Sequence, residues 1–322
     1  MKAIYTYVVL GGLIAGMVLV GCQRTPVSTP TASLPAPTPT SPLLPTPAAT
    51  TAVITPTTVP IPSTTPSATL PKPTPTTEGL YTYAVVGVEP DEGLSVHSGP
   101  GVNYDVVGTL PYDATQIHLT GQRAQAQNIT WEEIEWLSES PLRGWVNGRF
   151  LTQYVPPEAF CNAETASLIE QFEQAIRQAD GRLLATLVSP VHGVDIWLWR
   201  SGRVINFDPA HARWVFNSTY VHNWGANPAS GLDTRGSFQE AVLPVLRDAI
   251  QNPHEIRCND RTVGGVAEEY AWPARYRNIN VYKIFKPGTP GIDLDWRIWL
   301  VGVEYVENNP YLFALIHFQW EP

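Results

Sequence analysis

The residue types that most often carry catalysis are present in this chain, but their spacing predicts no catalytic or metal site. Five of the seven histidines are His192, His211, His222, His254 and His317. None of these lies four residues from another, as a zinc-binding helix requires, and no Cys-x-x-Cys pair occurs. The Gly-x-Ser-x-Gly turn of esterases and a glycine-rich phosphate loop are also absent. The sequence therefore predicts no catalytic residue, no metal and no cofactor.

Two short segments combine polar, aromatic and glycine residues, namely Ser189–Gly193 and Val221–Gly225. Loops that carry function often have this composition, and so do loops that only reverse the chain. If the fold contains a pocket, we expect four residues in and beside these segments to lie around its mouth. They are His192, Asp195, His222 and Trp224.

The N-terminus has the layout of an export signal. Lys2 precedes an apolar run from Ala3 to Val20, which fits either a secretory signal or a short membrane anchor. The run ends in Leu19-Val20-Gly21-Cys22, which resembles the bacterial lipobox. The resemblance implies a signal peptide over residues 1–21 and a diacylglyceryl lipid, such as palmitate chains, on Cys22. The chain would then be anchored to a membrane of the cell envelope, outside the cytoplasm. Both the inner and the outer membrane are compatible with this signal.

Only Cys161 and Cys258 remain as further cysteines. In an oxidising compartment two such cysteines usually pair, so a disulfide is predicted. Two buried free thiols are the alternative. A nucleophilic role beside His192 or His222 is a third reading.

Composition divides the rest of the chain. Residues 23–79 contain 15 prolines, 17 threonines and 5 serines in 57 positions and no aromatic residue. Such a segment cannot bury enough apolar surface to fold, so residues 22–79 are predicted to be a disordered linker that acts as a stalk. Residues 80–322 carry a net charge of −11, which leaves no basic surface for nucleic acid.

Residues 80–155 alternate short apolar runs with turn clusters, a pattern typical of a small β-barrel or sandwich. Within them, the run Leu94–Tyr104, Val107-Gly108-Thr109-Leu110 and Gly144-Trp145-Val146 resemble the signature of the bacterial SH3 domain. The resemblance implies an all-β SH3-like barrel that commonly binds peptidoglycan peptides or serves as a targeting module. His97 stands where the family has Arg.

The resemblance also selects binding residues in this region. Ser98, Tyr104 and Trp145 are the candidates, with a structural role in the barrel core as the alternative for Trp145. The segment Gln122–Leu142 is longer and more acidic than the family pattern and is expected to enlarge a hairpin. Its carboxylates are expected to favour basic or amidated peptides. They are Glu132, Glu133, Glu135 and Glu139.

Residues 156–322 read as an α+β domain, with helices packed on a curved antiparallel sheet. Helices are predicted over 163–180, around 183–188 and over 238–251, the last kinked at Pro244. Strands are predicted over 194–199, 203–207, 280–285, 296–306 and 311–320. This order loosely resembles the nuclear-transport-factor-like cone, which encloses a pocket. The eight tryptophans of this region are expected mostly in the core, with a ligand cleft as the alternative.

The sequence thus favours a multidomain, non-enzymatic envelope lipoprotein whose SH3-like module binds cell-wall peptide or another envelope component. Two alternatives stay open. One is a cell-wall hydrolase with catalytic residues that the sequence does not reveal, and the other is a small-molecule site inside a cone-shaped C-terminal pocket.

Overall fold

Alternating apolar residues and glycine-rich turns build the first half of the folded chain from short strands. The computed structural model describes residues 81–138, 140–264 and 271–321, so the predicted signal peptide, Cys22 and the linker lie outside the described residues. The first seven strands are β1 (Tyr83–Val85), β2 (Leu94–His97), β3 (Val106–Leu110), β4 (Ile117–Ala126), β5 (Ile129–Trp136), β6 (Leu142–Asn147) and β7 (Leu151–Gln153).

These strands pair antiparallel in the order β3-β2-β6-β5-β4-β1-β7 around one apolar core. Val96, Leu110, Ile117, Ile134 and Val146 are fully buried in that core. The predicted long hairpin is formed by β4 and β5. It turns at Gln127 and Asn128, whose φ angles of +56° and +62° suit a tight two-residue turn.

The described residues of the second half form six α-helices and eight strands. The helices are α1 (Pro157–Phe160), α2 (Ala163–Gln178), α3 (Gly181–Leu187), α4 (Pro209–Ala212), α5 (Phe238–Ala241) and α6 (Leu243–Gln251). The strands are β8 (Val194–Trp197), β9 (Val204–Phe207), β10 (His222–Ala226), β11 (Asp233–Gly236), β12 (Glu255–Cys258), β13 (Asn280–Lys286), β14 (Arg297–Val306) and β15 (Asn309–Gln319).

The helix ends follow local chemistry. Asn162 caps α2 by accepting hydrogen bonds from the backbone amides of Glu164 and Thr165, and Ser237 caps α5. The helix predicted over 238–251 is interrupted after Ala241, and Pro244 lies in the first turn of α6, where its missing amide hydrogen costs little.

The sheet of the second half is mixed, which corrects the expectation of an antiparallel one. β12, β13, β14 and β15 are antiparallel, but β8 pairs parallel with β15, aligning Ile196 with Leu315. Parallel neighbours require a long connection, and here almost the whole second half of the chain separates β8 from β15.

The two halves share this sheet. β14 pairs antiparallel with β7 at Tyr305 and Gln153, so the strands of both halves form one continuous sheet. The boundary predicted near residue 155 falls between β7 and α1. Further hydrogen bonds cross it: the Asn278 side-chain amide donates to the carbonyl of Val85 at 2.8 Å, and the Gly87 amide donates to that of Arg275 at 2.8 Å.

The helices cover one face of the second-half sheet with a dense apolar core. Phe172, Ile176, Trp224, Leu246 and Trp299 are all fully buried there. The cavity lined by residues of α2, α3, β8 and β15 has a volume of about 10 Å³ and an apolar lining. This space holds at most one water molecule, so this particular cavity is too small for the ligand that a cone-shaped pocket would bind.

Cys161 and Cys258 form a disulfide, with their Cα atoms 5.9 Å apart. The bond links the residue before the α2 cap to the end of β12. It closes a loop of 97 residues, as the predicted pairing requires.

Candidate functional site

The three binding residues predicted in the first half lie together, around His97 at the end of β2. Ser98 follows His97 in the chain and is exposed, and Trp145 on β6 is the register partner of His97. Nδ1 of His97 lies 2.9 Å from the backbone carbonyl of Tyr104, so this nitrogen carries the hydrogen. Trp145 is half-buried on the outer face of β6, so it is not the core residue that the alternative reading expected.

Tyr104 is held in place by a close approach to a glycine. A Cβ atom at Gly99 would lie 2.4 Å from two carbons of the Tyr104 ring, so only glycine leaves room for the ring at this position. Gly99 therefore positions an aromatic side chain, whereas Gly101 has the unusual φ of +158°.

Tyr104 belongs to an exposed apolar surface, which we call the edge patch: Val102, Tyr104, Val106 and Val107. These side chains are between 47% and 57% exposed. Val106 and Val107 begin β3, which is the last strand of the sheet and pairs with β2 alone among the described strands. The patch thus lies beside a row of backbone groups that no described strand covers.

The described carboxylates of the acidic segment do not lie on one face of the sheet. Strand alternation in β5 turns Glu132 to one face of the sheet and Glu133 and Glu135 to the other. Glu133 and Glu135 both contact Arg143, at 3.0 and 2.9 Å, and hydrogen bonds from Arg143 and Thr120 hold the pKa of Glu133 below its usual value. Glu139 lies outside the described residues.

A cavity lined by described residues lies where the two halves meet, and we call it the junction cleft. Its volume is about 770 Å³, within the range of roughly 300–1,000 Å³ typical of small-molecule sites. The lining comes from β1, β4, β5 and β7 on one side and from β14 and the loop before β8 on the other. It includes Tyr81, Tyr83, Arg123, Asn128, Glu132, Arg149, Thr152, His192, Glu304 and Tyr305.

A buried ion pair lies in this lining. Nδ1 of His192 is 2.7 Å from Oε2 of Glu304, whose side chain is 1% exposed, and Nε2 of His192 is 2.8 Å from the carbonyl of Arg149. Both partners accept hydrogen bonds, so the imidazole is positioned to donate from both nitrogens as an imidazolium. The Thr152 hydroxyl donates to the same Oε2 at 3.2 Å.

The charge of His192 follows from this environment. Burial lowers the pKa of His192, but the Glu304 carboxylate and the hydrogen bonds to it and to the Arg149 carbonyl raise it by more, so the net pKa is raised above its usual value. Oε1 of Glu304 is buried without a hydrogen-bond partner among the described residues. An unsatisfied carboxylate oxygen is costly, and Glu304 is one of the residues that line the cleft.

Of the four residues expected around one pocket mouth, only His192 lines the cleft. Asp195 accepts hydrogen bonds from the Tyr276 hydroxyl and from the Asn206 amide instead, and burial and the Asp195 charge raise the pKa of Tyr276. Trp224 is fully buried and donates to the carbonyl of Gly236 at 3.0 Å. His222 packs beside it at 5.4 Å between ring centres, and burial lowers its pKa.

No protein-family model, no curated protein and no solved structure matches this chain. Within the described residues, no group of three or more histidine, cysteine, aspartate or glutamate side chains is arranged to hold a metal ion. Among the helices of the described ranges, none has the length and apolar character needed to cross a membrane.

The sequence reasoning missed Glu304, the residue that anchors the ion pair. A signal for it existed: Glu304 is the only charged residue between Arg297 and Glu307, inside a run that otherwise reads as a buried strand. Charged side chains are almost never fully buried without a partner, so a partner for this carboxylate was required. The sequence alone does not show that the partner is His192, 112 positions away.

Proposed function

We propose that this chain is a lipid-anchored envelope protein that binds cell-wall peptide through the edge patch and is not an enzyme. A lipid on Cys22 would hold it at the membrane, and the linker over residues 22–79 would present the folded part at a distance. The SH3-like signature around Ser98 and Tyr104 supports this reading. We also propose that the first seven strands, β1 to β7, form an SH3-like barrel.

The observation that carries the proposal is the free edge of β3 beside exposed apolar side chains. An extended peptide can pair its backbone with such an edge while alternate side chains pack on neighbouring apolar groups. Val106 and Val107 on the strand, with Tyr104 beside them, provide those contacts. Monomeric proteins usually protect an edge of this kind with charges or proline, and β3 contains neither.

The charge of the first half selects among peptides. Residues 81–155 contain nine acidic and three basic side chains, and Asp105 is exposed directly beside Val106. A peptide with free ammonium or amidated carboxyl groups is therefore favoured over a carboxylate-rich one, and salt weakens this preference. The buried area is small, so the expected affinity is micromolar or weaker.

Tyr104→Ala is expected to weaken binding of the full-length chain to purified cell walls about tenfold. The substitution removes the aromatic member of the edge patch, and aromatic contacts in an interface typically contribute more than aliphatic ones. Co-sedimentation of the detergent-purified chain with increasing amounts of wall gives the binding curve.

Tyr220→Ala serves as the matched control, because Tyr220 is also exposed, at 69%, and lies in the second half. It should bind like wild type. Equal binding by the Tyr104 variant and wild type, or no sedimentation of wild type, contradicts the proposed role of the patch.

Cys22→Ala is expected to move the protein from the membrane to the soluble fraction or to leave it uncleaved. If Cys22 carries the lipid, alanine at this position leaves no thiol for lipid attachment. The chain would then lose this anchor. Fractionation followed by intact-mass measurement separates the two outcomes. A wild-type chain that begins at residue 22 but carries no lipid excludes this anchoring.

A cell-wall hydrolase is the second candidate, because two carboxylates, Glu132 and Glu304, line the junction cleft. Glycoside hydrolysis uses two such groups on either side of the scissile bond. Here each is bound to a cation instead: Glu132 contacts Arg123 at 2.6 Å and Glu304 contacts His192 at 2.7 Å. Clearing of a wall suspension that is lost in both Glu132→Gln and Glu304→Gln would establish the hydrolase.

A further inference from the structure

We propose that the junction cleft is a second ligand site, distinct from the edge patch, and that it binds a neutral, amide-bearing saccharide. The inference goes beyond the proposed function, since it concerns other residues and another ligand class. Its basis is the hydrogen bonds between the cleft walls, the pairing of the charges, the tyrosine and amide lining and the unpartnered Oε1 of Glu304.

Hydrogen bonds connect the walls of the cleft across the two halves. The Thr152 hydroxyl of β7 donates a hydrogen bond to Glu304 of β14, and His192 donates one to the Arg149 carbonyl. Residues of both halves are therefore hydrogen-bonded to one another at the base of the cleft. The amide of Asn308 also donates to Oε1 of Gln153 at 2.9 Å. A preformed site loses little conformational entropy on binding.

The charges in the cleft are balanced and paired. Arg123 contacts Glu132 at 2.6 Å, and His192 contacts Glu304 at 2.7 Å. The exposed rim adds one cation, Arg149, and one carboxylate, Glu307. With three charges of each sign, this lining attracts neither a polyanion nor a polycation. A ligand without net charge fits it best.

The remaining lining has the chemistry that a sugar ring requires. Tyr81 and Tyr83 are partly exposed and provide aromatic rings on which the C–H faces of a pyranose can pack. Asn128 and Thr130 add amide and hydroxyl groups that exchange hydrogen bonds with ring hydroxyls. An extended peptide would present charged termini or side chains more often than this combination suits.

Oε1 of Glu304 is an unused acceptor on a residue that lines the cleft. This oxygen is buried and has no partner among the described residues, while Oε2 accepts from His192 and Thr152. A sugar hydroxyl or the N–H of an N-acetyl group would satisfy it. An amide-bearing saccharide supplies both kinds of donor, together with a methyl group that packs against a tyrosine face.

The test uses the full-length, detergent-purified chain and isothermal titration with three probes: the trimer of N-acetylglucosamine, its fully deacetylated trimer and maltotriose. The acetylated trimer is expected to bind most tightly, since it is neutral and carries amides. The deacetylated trimer, with three ammonium groups, is expected to bind at least tenfold more weakly. Equal binding of all three, or no binding of the acetylated trimer, overturns the proposal.

Variants locate the site. Tyr81→Ala, near the start of the described chain, is expected to weaken binding of the acetylated trimer about tenfold, and Asn128→Gly, which keeps the φ of +62°, is expected to weaken it severalfold. Tyr104→Ala in the edge patch is expected to leave this binding unchanged, which separates the cleft from the proposed peptide site. Unchanged saccharide binding in both cleft variants contradicts the assignment, as does competition by a wall peptide for the same site.

Discussion

Acidification from pH 6.5 to pH 3 is expected to cost the native state up to about 5 kcal/mol through one residue, His317. This side chain is buried on β15, and its ring is tilted against that of Trp299 on β14, with ring centres 4.9 Å apart. Burial lowers its pKa to about 3; the hydrogen bond to the Leu198 carbonyl partly opposes this, and the charge of Arg297 lowers the pKa by a smaller amount. Each pKa unit between the folded and unfolded states corresponds to about 1.4 kcal/mol.

The sign follows from proton uptake. Below pH 6.5 the unfolded chain protonates His317, whereas the folded chain keeps it neutral down to about pH 3. The unfolded state therefore binds one more proton across this window, and stability is lost as the pH falls through it.

Urea denaturation at intervals from pH 3.5 to pH 7 measures this effect. His317→Phe keeps a ring beside Trp299 and is expected to flatten the pH dependence of the unfolding free energy by one proton. Trp299→Phe is the matched control, since it changes the ring beside His317 but leaves the titrating group. It should retain the pH dependence of the unfolding free energy. A His317→Phe slope equal to that of wild type would show that this histidine is protonated in the folded protein.

Glu304→Ala is expected to destabilise the folded chain by about 3–5 kcal/mol at pH 6. The substitution leaves the His192 imidazolium buried without its carboxylate, and removing one partner of a buried ion pair costs far more than the pair contributes. It also removes the acceptor of the Thr152 hydroxyl, one of the bonds between the two halves. Glu135→Ala, which breaks an exposed ion pair with Arg143, is the control and should cost less than about 1 kcal/mol.

The Glu304 effect should also depend on pH. Because the pKa of His192 is raised in the folded state, the stability from its charged form is fully present below pH 6.5 and is lost as the pH rises through that raised pKa. The difference between wild type and Glu304→Ala should therefore shrink between pH 6 and pH 9. A difference that is small at pH 6, or that grows with pH, contradicts a charged His192.

Local signals in the sequence predicted most of the secondary structure. The capping residues Asn162 and Ser237 marked the starts of α2 and α5 within a residue, and the turn at Glu307 and Asn308 joins β14 and β15 as its asparagines indicated. The hairpin of β10 and β11 was missed, since His222–Ala226 has a single buried aromatic and two adjacent glycine or alanine residues rather than an alternating pattern.

The sequence did not predict which distant segments pair in the sheet. The parallel pairing of β8 with β15 and the shared sheet at Tyr305 and Gln153 join segments more than 100 residues apart, for which no local pattern exists. The same limit applies to the cleft. Ser98, Tyr104 and Trp145 were grouped by a compact signature, whereas His192 and Glu304 meet only through the fold.

The central claim, that an extended wall peptide pairs with the free edge of β3, is tested most directly by amide hydrogen exchange. The full-length chain is compared with and without a saturating soluble wall peptide, and exchange is read in proteolytic fragments by mass spectrometry. Slower exchange is expected in fragments covering residues 98–110, because a new strand protects edge amides, with β14 and β15 unchanged. Unchanged exchange over 98–110 under saturating peptide would contradict the claim.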